Sequence, residues 1–283
     1  MHITIFLWGF TGVLGKGIDL SEGVLVWYRM LFAVCSMLLY FLFSKESLAI
    51  SKKDFFRLTI VGFIIMIHWV CFYGSIKYAN VSIALCMLAA QGLFTSIFEP
   101  LFHREKINKT NVLFGLIAML GIWIIFWSEK IYIVGSIIGL FAALFGAIFN
   151  VLNKPLVEKI SPTKVSFYEM LTGLIILTLL MPAYVYFSKT EKLIPTSFDF
   201  LLLIFLAVIC THLAIVMSLK ALKFVSAFTL NLSTNLEPIY GIILAFLIFN
   251  ENQFLGKGFY IGAFIILLSV ALQNFYALKY DKH

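Results

Sequence analysis

Few ionisable side chains fall inside the long apolar runs of this 283-residue chain, and those few are where chemistry could reside. Glu237 is the foremost. It stands in "NLSTNLEP", with Asn231, Ser233, Thr234 and Asn235 crowded before it and Pro238 directly after it. A carboxyl in the middle of an apolar segment can bind a cation or carry a proton, and it keeps that proton unless a partner is supplied. Pro238 has no backbone N–H, so it frees a carbonyl one turn earlier, near Thr234, and should kink the helix. At about 100° per residue, Asn231, Thr234, Asn235 and Pro238 share one helix face while Ser233 and Glu237 share another. Polar groups beside a freed carbonyl suit a substrate or proton site. The competing reading is structural: Glu237 bonds to a neighbouring helix and the proline only bends its own.

Two further charges sit in apolar runs, in two copies of one motif. Arg29 is at the centre of "WYRML" and Glu169 at the centre of "FYEML". His68 and His212 accompany them at similar depth in neighbouring runs. Counting 1.5 Å per residue places Arg29 about 9 Å and Glu169 about 8 Å from opposite surfaces, so the two should not pair directly. Each has instead its own histidine as local partner on this reading: Arg29, near His68, contributes to an outer gate or binds an anionic substrate group, and Glu169 with His212 forms an inner gate sensitive to protons. The alternative is that both charges snorkel to the nearest interface and the histidines bond neighbouring helices. Gln91, Ser82, Asn150 and Asn153 are second-rank candidates for a polar cavity, and Trp8, Trp69, Tyr73 and Tyr240 could line it or simply pack.

No Walker A, HExxH or GxSxG pattern and no metal-ligand cluster occurs, so neither catalysis, a metal nor a cofactor is expected. The four cysteines all lie within apolar runs, which argues against a disulfide framework.

The elements that must position these side chains are transmembrane helices. Hydrophobic residues make up 62% of the chain and charged residues 12%, with mean hydropathy +1.01. A soluble domain carries roughly 25% charged residues. The pattern predicts an all-α integral membrane protein with ten spans, at about 2–16, 24–44, 55–75, 80–101, 111–128, 131–152, 164–187, 198–219, 225–249 and 258–278. The chain enters its first apolar run almost at once without a basic leader, so a cleaved signal peptide is not expected. With both termini cytoplasmic, 14 Lys and Arg residues fall on the cytoplasmic side and 6 on the other, Arg29 completing the 21. That bias supports the orientation. The net charge of +7 is scattered over short loops, which gives no nucleic-acid surface.

The duplicated motif belongs to an ordered series. "GVLGK" (Gly12 to Lys16) returns as "NVLNK" (Asn150 to Lys154) at an offset of 138, "WYRML" as "FYEML" at 140, and His68 as His212 at 144. Val81-Ser82 returns as Val225-Ser226, and Gln91 meets Asn235, both at 144. Two copies of five spans have opposite topology, the inverted-repeat plan that recurs among secondary transporters.

Against this frame the sequence resembles the drug/metabolite transporter superfamily of EamA type. The resemblance rests on "LWG" (Leu7 to Gly9), on Arg29 early in the second span, and above all on "LSTNLEPIYGIILAFLIFNE" (Leu232 to Glu251). The departures are Asn250 in place of a glycine before Glu251, and Phe94 where the first half would carry a proline matching Pro238. The resemblance implies two EamA-like five-helix repeats, 1–130 and 131–283, and a cavity lined by spans 1, 3, 4, 6, 8 and 9. It implies an alternating-access exporter, in a bacterial inner membrane, of a small polar metabolite such as an amino acid or drug. Proton coupling and a homodimer are further expectations. Two alternatives stay open: a non-transporting membrane subunit or assembly factor, and an exchanger of sugar phosphates or nucleotide sugars. The latter should carry two or more cavity Lys or Arg residues, and only Arg29 lies inside a span.

Overall fold

The computed structural model describes residues 2–44, 46–234 and 236–280, and their side chains except those of residues 231, 232, 274 and 277–280. The described residues form helices joined by short loops, with no strand among them. In chain order the helices are α1 (His2–Gly17), α2 (Glu22–Ser44), α3 (Lys52–Tyr78), α4 (Val81–Leu88), α5 (Gln91–His103), α6 (Lys109–Ser128) and α7 (Ile133–Val157). There follow α8 (Pro162–Ser188), α9 (Ser197–Ala207), α10 (Ala214–Leu222), α11 (Ala227–Thr234), α12 (Glu237–Phe249) and α13 (Lys257–Tyr280).

Helix starts follow from local chemistry. Orphan amides of the first turn need acceptors, and Ser51, Asn80, Asn108 and Ser161 supply side-chain oxygens to α3, α4, α6 and α8. Thr196 and Asp199 form a reciprocal capping box at α9. Arg104, Lys189 and Asn250 end α5, α8 and α12 in the left-handed region.

Among the described residues, seven stretches are long and apolar enough to cross a membrane: α2, α3, α4 with α5, α6, Lys130–Val157, α8, and α9 through α10; α12 and Lys257–Gln273 are shorter apolar helices. The outward faces are apolar too. Phe43, Leu179, Trp127 and Phe187 stand in the open, which water would penalise and lipid does not. Interior contacts use small residues. Gly121 of α6 and Gly262 of α13 face each other, and a Cβ on either would fall within 2.6 Å of the other's carbonyl oxygen. With no hydrophobic drive between helices in lipid, such close approach supplies the packing energy.

Two interruptions shape the centre. Between α4 and α5 the chain tightens to i→i+3 bonds, Ala89 N to Cys86 O and Ala90 N to Met87 O. Between α11 and α12 the same tightening joins Leu236 N to Ser233 O, and Pro238 occupies the first turn of α12, where its missing N–H is harmless. A third irregularity, a π-helical segment over Val208–Leu213, separates α9 from α10.

Candidate functional site

Arg29 projects from α2 into the middle of the bundle and is 2% exposed. Its Nε donates to Thr211 Oγ1 at 2.7 Å and its Nη1 to Tyr73 Oη at 2.8 Å. The guanidinium lies 3.7 Å from the centre of the Trp69 ring, a cation–π contact of a desolvated cation. Three side chains from two elements, α3 and the π-helical segment, therefore aim it. Tyr73 fits beneath it because position 15 is a glycine: a Cβ there would sit 2.2 Å from the Tyr73 ring. Thr211 reaches it from the π-helical segment, and its hydroxyl donates in turn to Leu206 O at 2.8 Å. A π-turn inserts one residue into the helical register, and here the inserted turn carries the hydroxyl that orients Arg29. Nη2 carries no hydrogen bond among the described residues and remains available.

Arg29, Glu237, His68, Gln91 and Asn150 line one cavity of about 80 Å³, together with Trp8, Thr11, Trp69 and Thr234. One water needs roughly 10–15 Å³ on this measure, so the cavity admits several waters or one small metabolite. His68 Nδ1 lies 2.7 Å from Ala142 O. A carbonyl only accepts, so Nδ1 carries the hydrogen and Nε2 is the free position. Gln91 enters beside it because a Cβ at Gly146 would meet its amide nitrogen at 2.2 Å. Glu237 and Arg29 interact through the field of the cavity, yet no ion pair joins them among the described residues. A cation and a carboxyl face one cavity and are held apart.

The structure thus brings together Glu237, Arg29, His68, Gln91 and Asn150 from five helices. Arg29 and His68 share the central cavity rather than forming a separate gate. An arginine side chain outreaches a full helical turn, so the depth of its Cα does not set the depth of its guanidinium. Ser82 does not line the cavity; it sits in the first turn of α4, where its N–H and Oγ donate to Glu251 Oε2 at 2.9 and 2.5 Å. Glu169 and His212 do not pair. His212 Nδ1 lies 3.0 Å from Ser36 Oγ, while Glu169 is fully buried beside Asn153. Pro238 opens α12 after the interruption that follows Thr234. Asn235 and the side chain of Asn231 lie outside the described residues.

Two carboxylates to which the sequence reading assigns no role at a site, Glu251 and Glu99, are structural keystones. Glu251, just beyond α12, accepts from Lys16 Nζ at 2.8 Å, Val81 N at 3.0 Å and both donors of Ser82, closing the N-terminus of α4. Glu99 of α5 accepts from Ala227 N and Phe228 N, both at 2.7 Å, closing the N-terminus of α11. Each interrupted pair ends in a carboxylate that caps the other pair, at opposite ends of the bundle. Helix N-termini welcome anions. Replacing Glu251 with Ala strands these donors and should lower stability by about 2–3 kcal/mol. Glu251→Gln, which retains an acceptor, should cost less. Thermal unfolding of the detergent-solubilised protein measures both, and equal losses would show that the charge adds nothing.

The EamA-like transporter family matches residues 1–127 and 133–275. The uncharacterized transporter YetK of Bacillus subtilis is 26% identical over 264 residues, covering 87% of this chain and 77% of YetK. The pseudopaline exporter CntI of Pseudomonas aeruginosa is 24% identical over 164 residues, 57% of each chain. A solved protein crystal structure shares the fold, with TM-score 0.70 at 13% identity, covering 97% of this chain and 95% of that one. The chain belongs to the EamA-like transporter family.

Proposed function

We propose that this transporter exports a small zwitterionic metabolite of the amino-acid class in exchange for protons. The observation that carries the reading is the opposition of Arg29 and Glu237 across one cavity, with no ion pair between them among the described residues. Arg29 offers a fixed fork to a carboxylate. Glu237 receives an ammonium group when ionised and a proton when not. Substrate and proton therefore compete for one carboxyl, which couples their movements. His68 Nε2, Gln91 and Asn150 supply neutral hydrogen bonds to the remainder of the substrate.

We read the helical pieces as ten spans in two inverted five-helix repeats, 1–130 and 131–283. The two interrupted pairs at corresponding positions, the two matched ranges and the ordered sequence echoes support this. The Glu251 and Glu99 caps then mark the two ends that must loosen in turn for alternating access. The bias of Lys and Arg toward the loops of one side supports a reading with both termini on the cytoplasmic side of a bacterial inner membrane. Export as the direction is favoured by the relative named as an exporter.

A sugar-phosphate exchanger is disfavoured because Arg29 is the sole Lys or Arg among the cavity-lining residues, whereas a dianion calls for more. The test is counterflow in proteoliposomes with labelled amino acids, simple carboxylates, simple amines and sugar phosphates. Saturable flux of zwitterions above the singly charged probes is expected. Flux of sugar phosphates alone would reverse the reading, and no flux of any probe would favour a non-transporting subunit.

A further inference from the structure

Glu169 has no role in the cavity, yet it is a carboxyl with zero exposure in the interior of the bundle. Among the described residues, neither of its oxygens makes a well-formed hydrogen bond, and neither does either polar atom of Asn153 beside it. Helix α8, which carries Glu169, packs against α2, α3, α7 and α10. No charged side chain from any of them acts on Glu169; Asn153 of α7 is the polar group that does. Other nearby hydroxyls are engaged elsewhere. Thr172 Oγ1 donates to Tyr168 O at 2.7 Å, and Ser166 Oγ to Met37 Sδ at 3.8 Å. On the α3 side the backbone is sealed: a Cβ at Gly62 would fall 2.3 Å from Thr172 Oγ1 and 2.6 Å from Glu169 O.

An anionic carboxylate without a donor is untenable in such surroundings. A carboxylic acid beside a carboxamide is a different matter. Its O–H can donate to Asn153 Oδ1 and its carbonyl can accept from Asn153 Nδ2, a pairing that would satisfy all four orphan atoms. The pair is complementary only while Glu169 carries its proton.

Its place along α7 gives that proton somewhere to go. Asn150, one turn before Asn153, lines the central cavity. Lys154, Pro155 and Glu158, immediately after it, line a separate open vestibule of about 750 Å³ at the basic end of the bundle. Pro155 lies inside α7 and cannot donate to the carbonyl of Val151, so this turn lacks a backbone bond and is where α7 bends most easily.

We propose that Glu169 and Asn153 form a second proton-binding site, distinct from the substrate cavity, whose occupancy is tied to the bending of α7. In the conformation described, the acid is neutral and sealed. When α7 bends at Pro155 and water from the vestibule reaches the pair, the Glu169 O–H bond breaks, the proton passes to water and the carboxylate remains, solvated. Reclosing requires a proton to return. The site deepens the exchange reading above, and its first test does not depend on it.

That test is infrared difference spectroscopy of the purified protein at neutral pH, wild type minus Glu169→Gln. A protonated-carboxyl C=O band that disappears in Glu169→Gln is expected, and Asn153→Leu should shift that band toward the free-acid position. An ionised-carboxylate signal from Glu169 instead, or a band indifferent to Asn153→Leu, would overturn the site. Should Glu169→Gln not fold, the Asn153→Leu shift decides by itself. The second test uses a labelled amino-acid mixture in proteoliposomes. Glu169→Gln should keep counterflow and lose its acceleration by a pH gradient; a wild-type response to the gradient would overturn the coupling role. Zwitterion flux failing in the wild type while the infrared band is present would remove the substrate reading and leave the site standing.

Discussion

Replacing Arg29 with Gln should abolish useful transport, lowering the apparent affinity for a zwitterionic substrate about 100-fold, or about 3 kcal/mol. The side chain is committed on two nitrogens to Thr211 and Tyr73 and stacked on Trp69. The free edge is thus held in place before substrate arrives, which is what makes its loss expensive. Arg29→Lys should rescue little. A lysine ammonium is a point charge that cannot hold both oxygens and still present a fork to a carboxylate. Counterflow in proteoliposomes, read as KM against maximal rate, checks this. An unchanged KM in Arg29→Gln would remove the guanidinium from the substrate site and leave it as packing between α2, α3 and the π-helical segment.

Glu237→Gln should uncouple the carrier. The amide has the same shape and hydrogen-bonding reach, so the fold should persist, but it neither ionises nor releases a proton. Flux driven by a pH gradient should fall at least about tenfold, and the dependence of counterflow on pH should flatten, because substrate and proton no longer compete for one group. Glu237→Asp retains the chemistry with shorter reach and should keep the pH dependence at reduced rate. If flux in Glu237→Gln retains both its rate and its pH dependence, the proton role assigned to Glu237 is wrong. The two substitutions also test different halves of the substrate: Arg29→Gln should penalise carboxylates selectively, Glu237→Gln amines.

Much of the site was legible as residue type. A carboxyl, an arginine and polar amides stranded in apolar runs are costly enough to mark themselves, and Glu237, Arg29, His68, Gln91 and Asn150 all carried that mark. The pairing of Arg29 and Glu169 each with its own histidine was not legible. Residue counts give the depth of a Cα, and only an unbroken helix would fix the azimuth of its side chain. The π-helical turn at Val208–Leu213 spoils that azimuth for Thr211 and His212, putting one against Arg29 and the other against Ser36. The Glu251 and Glu99 caps were missed, although a signal existed. Both carboxylates lie at or beyond the C-terminal part of a helix, where the helix dipole repels negative charge. An acid so placed needs a donor from another element, and the amides of α4 and α11 are those donors.

The amino-acid sequence by itself determined the solvent, the secondary structure and the chemistry available. Its apolar content leaves lipid as the surroundings, lipid demands internally satisfied backbone, and helices meet that demand; Pro238 set one of the two central interruptions. Only the tertiary structure decided which polar groups share a space. Ala89-Ala90 interrupts α4 and α5 with no proline to announce it, and Gly15 and Gly146 matter through the Tyr73 and Gln91 side chains they admit from other helices. Glu169 and Glu237 are both acids inside apolar runs, yet Glu237 faces a cation across a cavity and Glu169 a lone amide. The physical reason is that the cost of a buried polar group is local to its residue, whereas its partner is chosen by packing between helices distant in the chain.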